Sequence, residues 1–304
     1  MTLESIAIRM VRAIDRATDL IIEISLCIVL LFGVYSLWDS QNVYATADAS
    51  NYVAFRPTAD DTLSFDELRA KNSEVFAWLT VNDTPIDYPM TQTDNNEKYV
   101  NYNAEGDYTL SGAIFLDYRN SPDFDDFNSI IYGHHMEKKM MFGSLSDFDD
   151  EAYFNSHPYG NLFFNGRDHG IEFFAFVLTD AYDYELFTPA IEGEEAQQAY
   201  LDTILSKAVH TRDLPITTDD QILVLSTCTT EITNGRYMLM GKLTDELHLQ
   251  VVEEKPVVIN RGTGIDTKQI SKYAQYPIWV WIGAIAFLML LLIVIRVLTS
   301  RKKA

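Results

Sequence analysis

Cysteine is nearly absent: 304 residues hold two, Cys27 and Cys228. Cys27 lies inside a long apolar run, so the segment between the two such runs has one thiol and cannot be stapled internally. A single cysteine in a secreted context is an accident, half of an intermolecular bridge, or a reactive group. Basic residues are also scarce, 23 Lys and Arg against 44 Asp and Glu, for a net charge of −21. Residues 1–38 sum to −1 and residues 276–304 to +4, which leaves −24 between them. That balance excludes nucleic acid and anionic lipid surfaces as partners of this segment, and suits cationic or neutral substrates. The acidic clusters DFDDF (123–127) and SDFDDE (146–151) lack the glycine-containing twelve-residue spacing of an EF-hand loop and read as solvated loops. No metal or other cofactor is called for. No internal repeat or low-complexity tract is evident.

What the chain does have is two long apolar runs, LIIEISLCIVLLFGVYSLW (20–38) and YPIWVWIGAIAFLMLLLIVIRVL (276–298). Each is long enough to cross ~30 Å of hydrocarbon as a helix. Arg9, Arg12 and Arg16 precede the first, while Arg301, Lys302 and Lys303 follow the second, so the positive-inside rule puts both termini in the cytoplasm. The expected organisation is a cytoplasmic N-terminus (1–19), a membrane helix (20–38), a polar linker (39–62), an extracellular folded domain (63–250), a second linker (251–275), a second membrane helix (276–298) and a basic cytoplasmic tail (299–304). Ala45-Thr46-Ala47 resembles a signal-peptide cleavage site, but the apolar run is long for an h-region and Ala47 lies well beyond its end. A C-terminal sorting signal would need an LPxTG-like pentapeptide, which INRGTG (259–264) does not match.

Within the folded segment, Ser64-Phe65-Asp66-Glu67 has the form of a capping box, so a helix is expected to start at Ser64. Strand patterns follow at 76–81, 86–92, 112–118, 129–136, 161–165 and 171–181, the first two flanking the turn-rich Asn82-Asp83-Thr84-Pro85. MFGSL and the acidic stretch to Phe154 read as short helical or irregular connections. A helix with apolar spacing spans roughly 194–209, and a last pair of strands covers 221–229 and 235–243. Eight or so short strands with one intervening helix point to a closed or nearly closed mixed barrel, mainly β.

Cys228 ends a strand that is apolar at both parities, so both faces of that strand are covered and the thiol sits at the rim of a core. Arg236 opens the returning strand after Asn234-Gly235, and an antiparallel return brings it beside the same rim. A buried isolated cysteine is inert; a cationic neighbour instead lowers a thiol's pKa and favours the nucleophilic thiolate. Of six histidines, His157, His169, His210 and His248 sit in polar or strand-edge surroundings and read as bystanders. His134 and His135 end the strand at 129–136, after Gly133, which allows close backbone approach. Adjacent histidines point to opposite faces of a strand, and no ligand stands at zinc spacing, so the doublet offers one acid–base candidate rather than a metal site.

YGHHM (132–136), the MFGSL after it, and LSTC (225–228) with Arg236 downstream resemble the signature of sortases, the membrane-tethered cysteine transpeptidases of Gram-positive surfaces. The longer pattern is similar to class B: FAWLTVNDTPIDYPMTQTDNNEKYVNY, SGAIFLDYRN and NSIIYGHHM, a match running from about Phe65 to Leu243. The resemblance implies a closed eight-stranded β-barrel with an N-terminal helix and a longer helix before the cysteine strand. It implies His134, Cys228 and Arg236 as catalytic residues, with Ser226 and its neighbour Thr227 as substrate contacts. Cys228 would attack a threonyl carbonyl in a sorting pentapeptide and pass the acyl group to an amine, with surface proteins or pilins as donors. The amine would come from lipid-linked peptidoglycan precursor or a pilin lysine. Two anchors depart from the usual class B pattern and resemble pilus-building sortases, although the Asp-Pro-aromatic lid common there is missing from 39–60. A cysteine peptidase using water, and a surface binding module with an incidental thiol, are the alternatives.

Overall fold

The computed structural model describes residues 3–58, 63–228 and 234–248. The chain divides into two compact units, Met1–Asn42 with Glu254–Ala304, and Val43–Glu253. Helix α1 (Leu3–Ala47) carries the first apolar run and is, among the described residues, the one helix long and apolar enough to cross a membrane. Its large side chains, Ile21, Leu26, Phe32 and Leu37 among them, are exposed. The second apolar run, 276–298, the linker 251–275 and the basic tail lie outside the described residues.

Among the described residues of the second unit, nine strands make one sheet: β1 (Val75–Val81), β2 (Asp87–Thr91), β3 (Ile114–Leu116), β4 (Asn128–Tyr132), β5 (Tyr159–Phe164), β6 (Arg167–Asp180), β7 (Ala208–Thr211), β8 (Ile222–Cys228) and β9 (Gly235–Thr244). The order β5-β1-β2-β3-β4-β8-β9-β6 closes on itself through β5–β6, giving an eight-stranded mixed barrel, with β7 hydrogen-bonded to β6 outside the ring. Closure uses the length of β6, whose first residues pair with β5 and whose remainder pairs with β9, across a bulge between Phe173 and Ala175. Two pairs are parallel, β2–β3 and β4–β8.

Alternation sorts the side chains into two apolar clusters. Leu79, Ile131, Phe173, Leu223, Leu225 and Leu239 belong to the one that fills the barrel. Ile130, Phe174, Val224 and Met238 belong to the other, which α4 (Glu194–Lys207) covers from outside with Tyr200, Leu201 and Ile204. Both faces of β8 are therefore buried, as its continuous apolar sequence requires.

Several boundaries differ from the sequence reading. The capping-box reading at Ser64 is corrected, because helix α2 (Leu63–Lys71) already includes Ser64; it buries Phe65 and Leu68 on one face. The acidic connection resolves into short 3-10 turns and helix α3 (Glu151–Ser156), whose N-cap Asp150 accepts from the Tyr153 amide at 2.8 Å. The strand at 129–136 stops at Tyr132, so both histidines lie in the loop beyond it. β7 had no signal, since four residues alternating between half-buried and exposed are too short to show a period.

The stretch 39–62 was expected as a linker, but over 39–58 it is mostly ordered: α1 runs to Ala47 and two 3-10 turns follow. Ala47 and Tyr52 are 1% and 5% exposed within the barrel unit. The Tyr88 hydroxyl donates to the Ala47 carbonyl at 3.0 Å and accepts from the Met141 amide at 3.1 Å. Burial pushes the Tyr88 pKa up to about 12, so it remains a neutral donor. Tyr88→Phe would leave two buried backbone groups without their partner, an expected loss of about 1–3 kcal/mol. The measurement is the thermal midpoint of the two proteins side by side.

Candidate active site

The site is assembled by strand register. β4 and β8 run parallel with Tyr132 level with Ser226, and the Gly133 amide donates to the Ser226 carbonyl at 3.2 Å. His134 comes two residues after Tyr132, in the loop beyond the end of β4, and Cys228 comes two residues after Ser226, at the end of β8. On the other side, Cys228 is directly opposite Arg236 in the antiparallel β8–β9 pair. Adjacent strands lie ~4.8 Å apart, so three neighbouring chain segments present His134, Cys228 and Arg236 at one end of the barrel. The structure describes Cys228 through its backbone. By alternation Arg236 lies on the face of Met238 and Met240, the side that α4 covers.

His134 is held at three points. Gly133 fixes the backbone on one side, and the Phe142 amide donates to the His134 carbonyl at 2.9 Å on the other. The imidazole Nε2 lies 2.8 Å from the Val100 carbonyl. Glycine at 133 is a packing requirement: an added Cβ would stand 2.5 Å from Ile114 Cδ1 and 2.7 Å from a Phe142 ring carbon. Arg236, half-buried, donates through one terminal nitrogen to the Gly235 carbonyl at 2.9 Å and more weakly to the Asn234 carbonyl at 3.3 Å. Asn234 itself is in the left-handed region at φ +62°, which fits the Asn-Gly turn read from sequence.

Ser226 and Thr227 are each 2% exposed, on opposite faces. Ser226 follows Val224 on the α4-covered face. Thr227 instead pairs with Tyr237 on the interior face, and its Oγ1 is buried with no hydrogen-bond partner among the described residues. The interior face points away from Arg236, so position 227 contributes to the core rather than to the surface that Arg236 shares.

Beneath the rim is a polar network that sequence reasoning missed. Asp117, fully buried, receives Arg119 Nε at 2.9 Å and an Arg119 terminal nitrogen at 2.8 Å. Asn96 and the Tyr132 hydroxyl donate at 2.9 and 3.0 Å to Oδ2, the oxygen that the Arg119 terminal nitrogen also reaches. Burial alone raises the Asp117 pKa, but the bonds from Arg119 and Asn96 outweigh it and hold the carboxyl below its usual range. Burial, then the Asp117 charge, raises the Tyr132 phenol, which stays a neutral donor. Tyr132 also packs on Phe115 at 5.3 Å between centroids, which steadies the chain two residues before His134.

Glu172, Glu246 and His248 are the group of described residues nearest to a metal-ligand set, their donor atoms within 4.8 Å of one another. They lie toward the far end of β9 from Arg236, and His248 already contacts Glu172 at 3.3 Å. Cys27 is a free cysteine within α1, and no chemistry is assigned to it.

Two outcomes are expected from this geometry. Gly133→Ala should lower turnover by about 10²-fold, the scale of a ~1 Å misplacement, and also lower the thermal midpoint, since the added Cβ overpacks Ile114 and Phe142 at a cost of about 1–3 kcal/mol; steady-state kinetics and a melting curve measure both. Asp117 has a folded pKa below its unfolded value, so its stabilisation is complete at neutral pH and is lost as pH falls below about 4, through the folded value. Asp117→Asn should therefore melt earlier at pH 7 and show a flatter decline in acid, as melting curves across pH would record.

No family model matches the chain. It is 33% identical over 207 residues to sortase B of Listeria monocytogenes, covering 67% of this chain and 82% of that protein. The solved sortase B from the type II pilus of Streptococcus pneumoniae shares 45% identity at a TM-score of 0.53, over 60% of this chain and 99% of that one. A Streptococcus pyogenes class B sortase involved in pilus biogenesis shares 41% at a TM-score of 0.55, over 59% and 97%. With the barrel closed in the same way and a relative of this identity covered over most of its length, the chain belongs to the class B sortases.

Proposed function

We propose that this chain is a membrane-anchored transpeptidase that cuts a C-terminal sorting motif after threonine and passes the acyl group to an amine. Cys228 is the nucleophile, His134 the acid and base, and Arg236 the donor to the developing oxyanion. The observation that supports this most is the register itself, with Tyr132, two residues before His134, level with Ser226, two before Cys228, and Arg236 opposite Cys228. Attack by the thiolate on the threonyl carbonyl forms a thioester as the carbon–nitrogen bond breaks, and the imidazolium protonates the departing amine. The incoming amine then attacks the thioester, returns a proton to the imidazole, and releases the thiolate. A guanidinium carries a permanent charge and planar donors, which suits charge building on the carbonyl oxygen. Ser226, on the Arg236 face, is the substrate contact we retain.

The amine we favour is a pilin lysine. Identity to the two streptococcal pilus enzymes, 45% and 41%, exceeds the 33% to the Listeria protein. Lipid-linked peptidoglycan precursor is the competing acceptor. The catalytic unit would work outside the cell, tethered by the apolar part of α1 and by the run at 276–298, with both termini in the cytoplasm.

The test uses the full chain in detergent with a sorting peptide and two acceptors, a lysine-bearing pilin peptide and a wall-precursor peptide. Mass spectrometry should find the lysine adduct in excess. Cys228→Ala should abolish it, and Arg236→Ala should slow it by about 10²–10³-fold. Transfer persisting in Cys228→Ala would remove that residue as nucleophile, and a free acid as the sole product would make the protein a hydrolase.

A further inference from the structure

The Val100 carbonyl fixes what the His134 ring can do. A carbonyl oxygen only accepts, so Nε2 at 2.8 Å must carry the hydrogen in both the neutral and the cationic ring. In the neutral ring the lone pair is then on Nδ1. Among the described residues no carboxylate bonds to either ring nitrogen, so the orienting task that a carboxylate often performs falls to a main-chain oxygen.

That oxygen is itself held in place. Val100 ends a 3-10 turn, Lys98–Val100, and the two residues before it both reach one carboxylate. The Tyr99 hydroxyl and Lys98 Nζ both donate to Glu74 Oε2, just before β1. Asn72 Nδ2 donates to the Tyr99 hydroxyl at 2.8 Å, and the Ala113 amide donates to the Tyr99 carbonyl at 3.0 Å. Tyr99 is 1% exposed in a small cluster with Ala113 and Phe115, against which Val100 and Tyr132 pack. Gly112, at φ +59°, passes so near that a Cβ there would stand 2.7 Å from the Val100 oxygen.

We propose that His134 works as an Nε2–H imidazole whose Nδ1 takes and returns the catalytic proton, and that Glu74 is a positioning residue acting through Tyr99 and the Val100 carbonyl. This rests on the transpeptidase reading above. In the first half-reaction the Cys228 thiol gives its proton to Nδ1. As sulfur bonds to the carbonyl carbon and the carbon–nitrogen bond breaks, that proton passes from Nδ1 to the leaving nitrogen. The acceptor amine reverses the path: its proton goes to Nδ1 and the carbon–sulfur electrons return to sulfur. Nε2–H stays on Val100 throughout, so the ring need not turn over between halves.

The experiment is nitrogen-15 NMR of the full chain in detergent with labelled histidine, the His134 signals assigned by their loss in His134→Asn. In the neutral ring, the two-bond proton–nitrogen pattern should show the Nε2–H tautomer alone. Tyr99→Phe and Glu74→Gln should each mix the tautomers and lower kcat by about tenfold, short of the ~10² that a 1 Å misplacement costs, with KM within about twofold. A wild-type ring carrying hydrogen on Nδ1, or an even mixture, would overturn the assignment to Nδ1. Unchanged tautomer and kcat in both variants would remove Glu74 from the positioning role. Persisting transfer in Cys228→Ala overturns the transpeptidase reading instead, and the tautomer pattern does not depend on it.

Discussion

Two strands far apart in sequence, β4 and β8, lie side by side and point the same way, and the chemistry at the rim depends on that pairing. Parallel neighbours cannot be joined by a tight turn. The intervening chain must leave the rim, build β5, β6, α4 and β7, and come back from the opposite end. The result is that the chain leaves β4 and β8 at the same end of the barrel, with Tyr132 level with Ser226. Antiparallel β9 then supplies Arg236 from a turn, so one rim receives two strand ends and one strand beginning.

Register alone would leave the histidine loose, because Tyr132 is the last strand residue and His134 lies beyond the ladder. The surrounding contacts substitute for strand pairing. The Tyr132 ring and hydroxyl tie the preceding residue to Phe115 and Asp117, while Gly133 and Phe142 fix the backbone on either side. Asp117 and Arg119 form the kind of pair whose desolvation is offset only when every lone pair is used; here Asn96 and Tyr132 complete the set.

The candidate residues could be named because each stands in a local pattern, a lone thiol after an apolar strand, an arginine after Asn-Gly, a histidine after Tyr-Gly, and their roles belong to the proposed function. The barrel, the helix before the cysteine strand and most strand positions were legible for the same reason, since alternation and turn residues leave a short-range trace. The Val100 carbonyl was not, because a backbone oxygen has no letter in the sequence. Nor was Asp117, whose importance comes from partners at 96, 119 and 132 that only folding brings together. Composition suggested a linker at 39–58 because Ala47 and Tyr52 are isolated buried positions in a polar stretch, and two anchoring contacts make no period. Thr227 was carried over with its neighbours, though alternation turns it inward.

The separation between Tyr132 and Ser226 also governs when the site can exist. Contacts between distant parts of a chain form late, after the loop-closure entropy has been met by other structure. A partly folded molecule would have residues 134, 228 and 236 dispersed. On the proposed function, reactivity would then be deferred to the finished barrel, and an immature copy would carry no activity to misdirect at its neighbours.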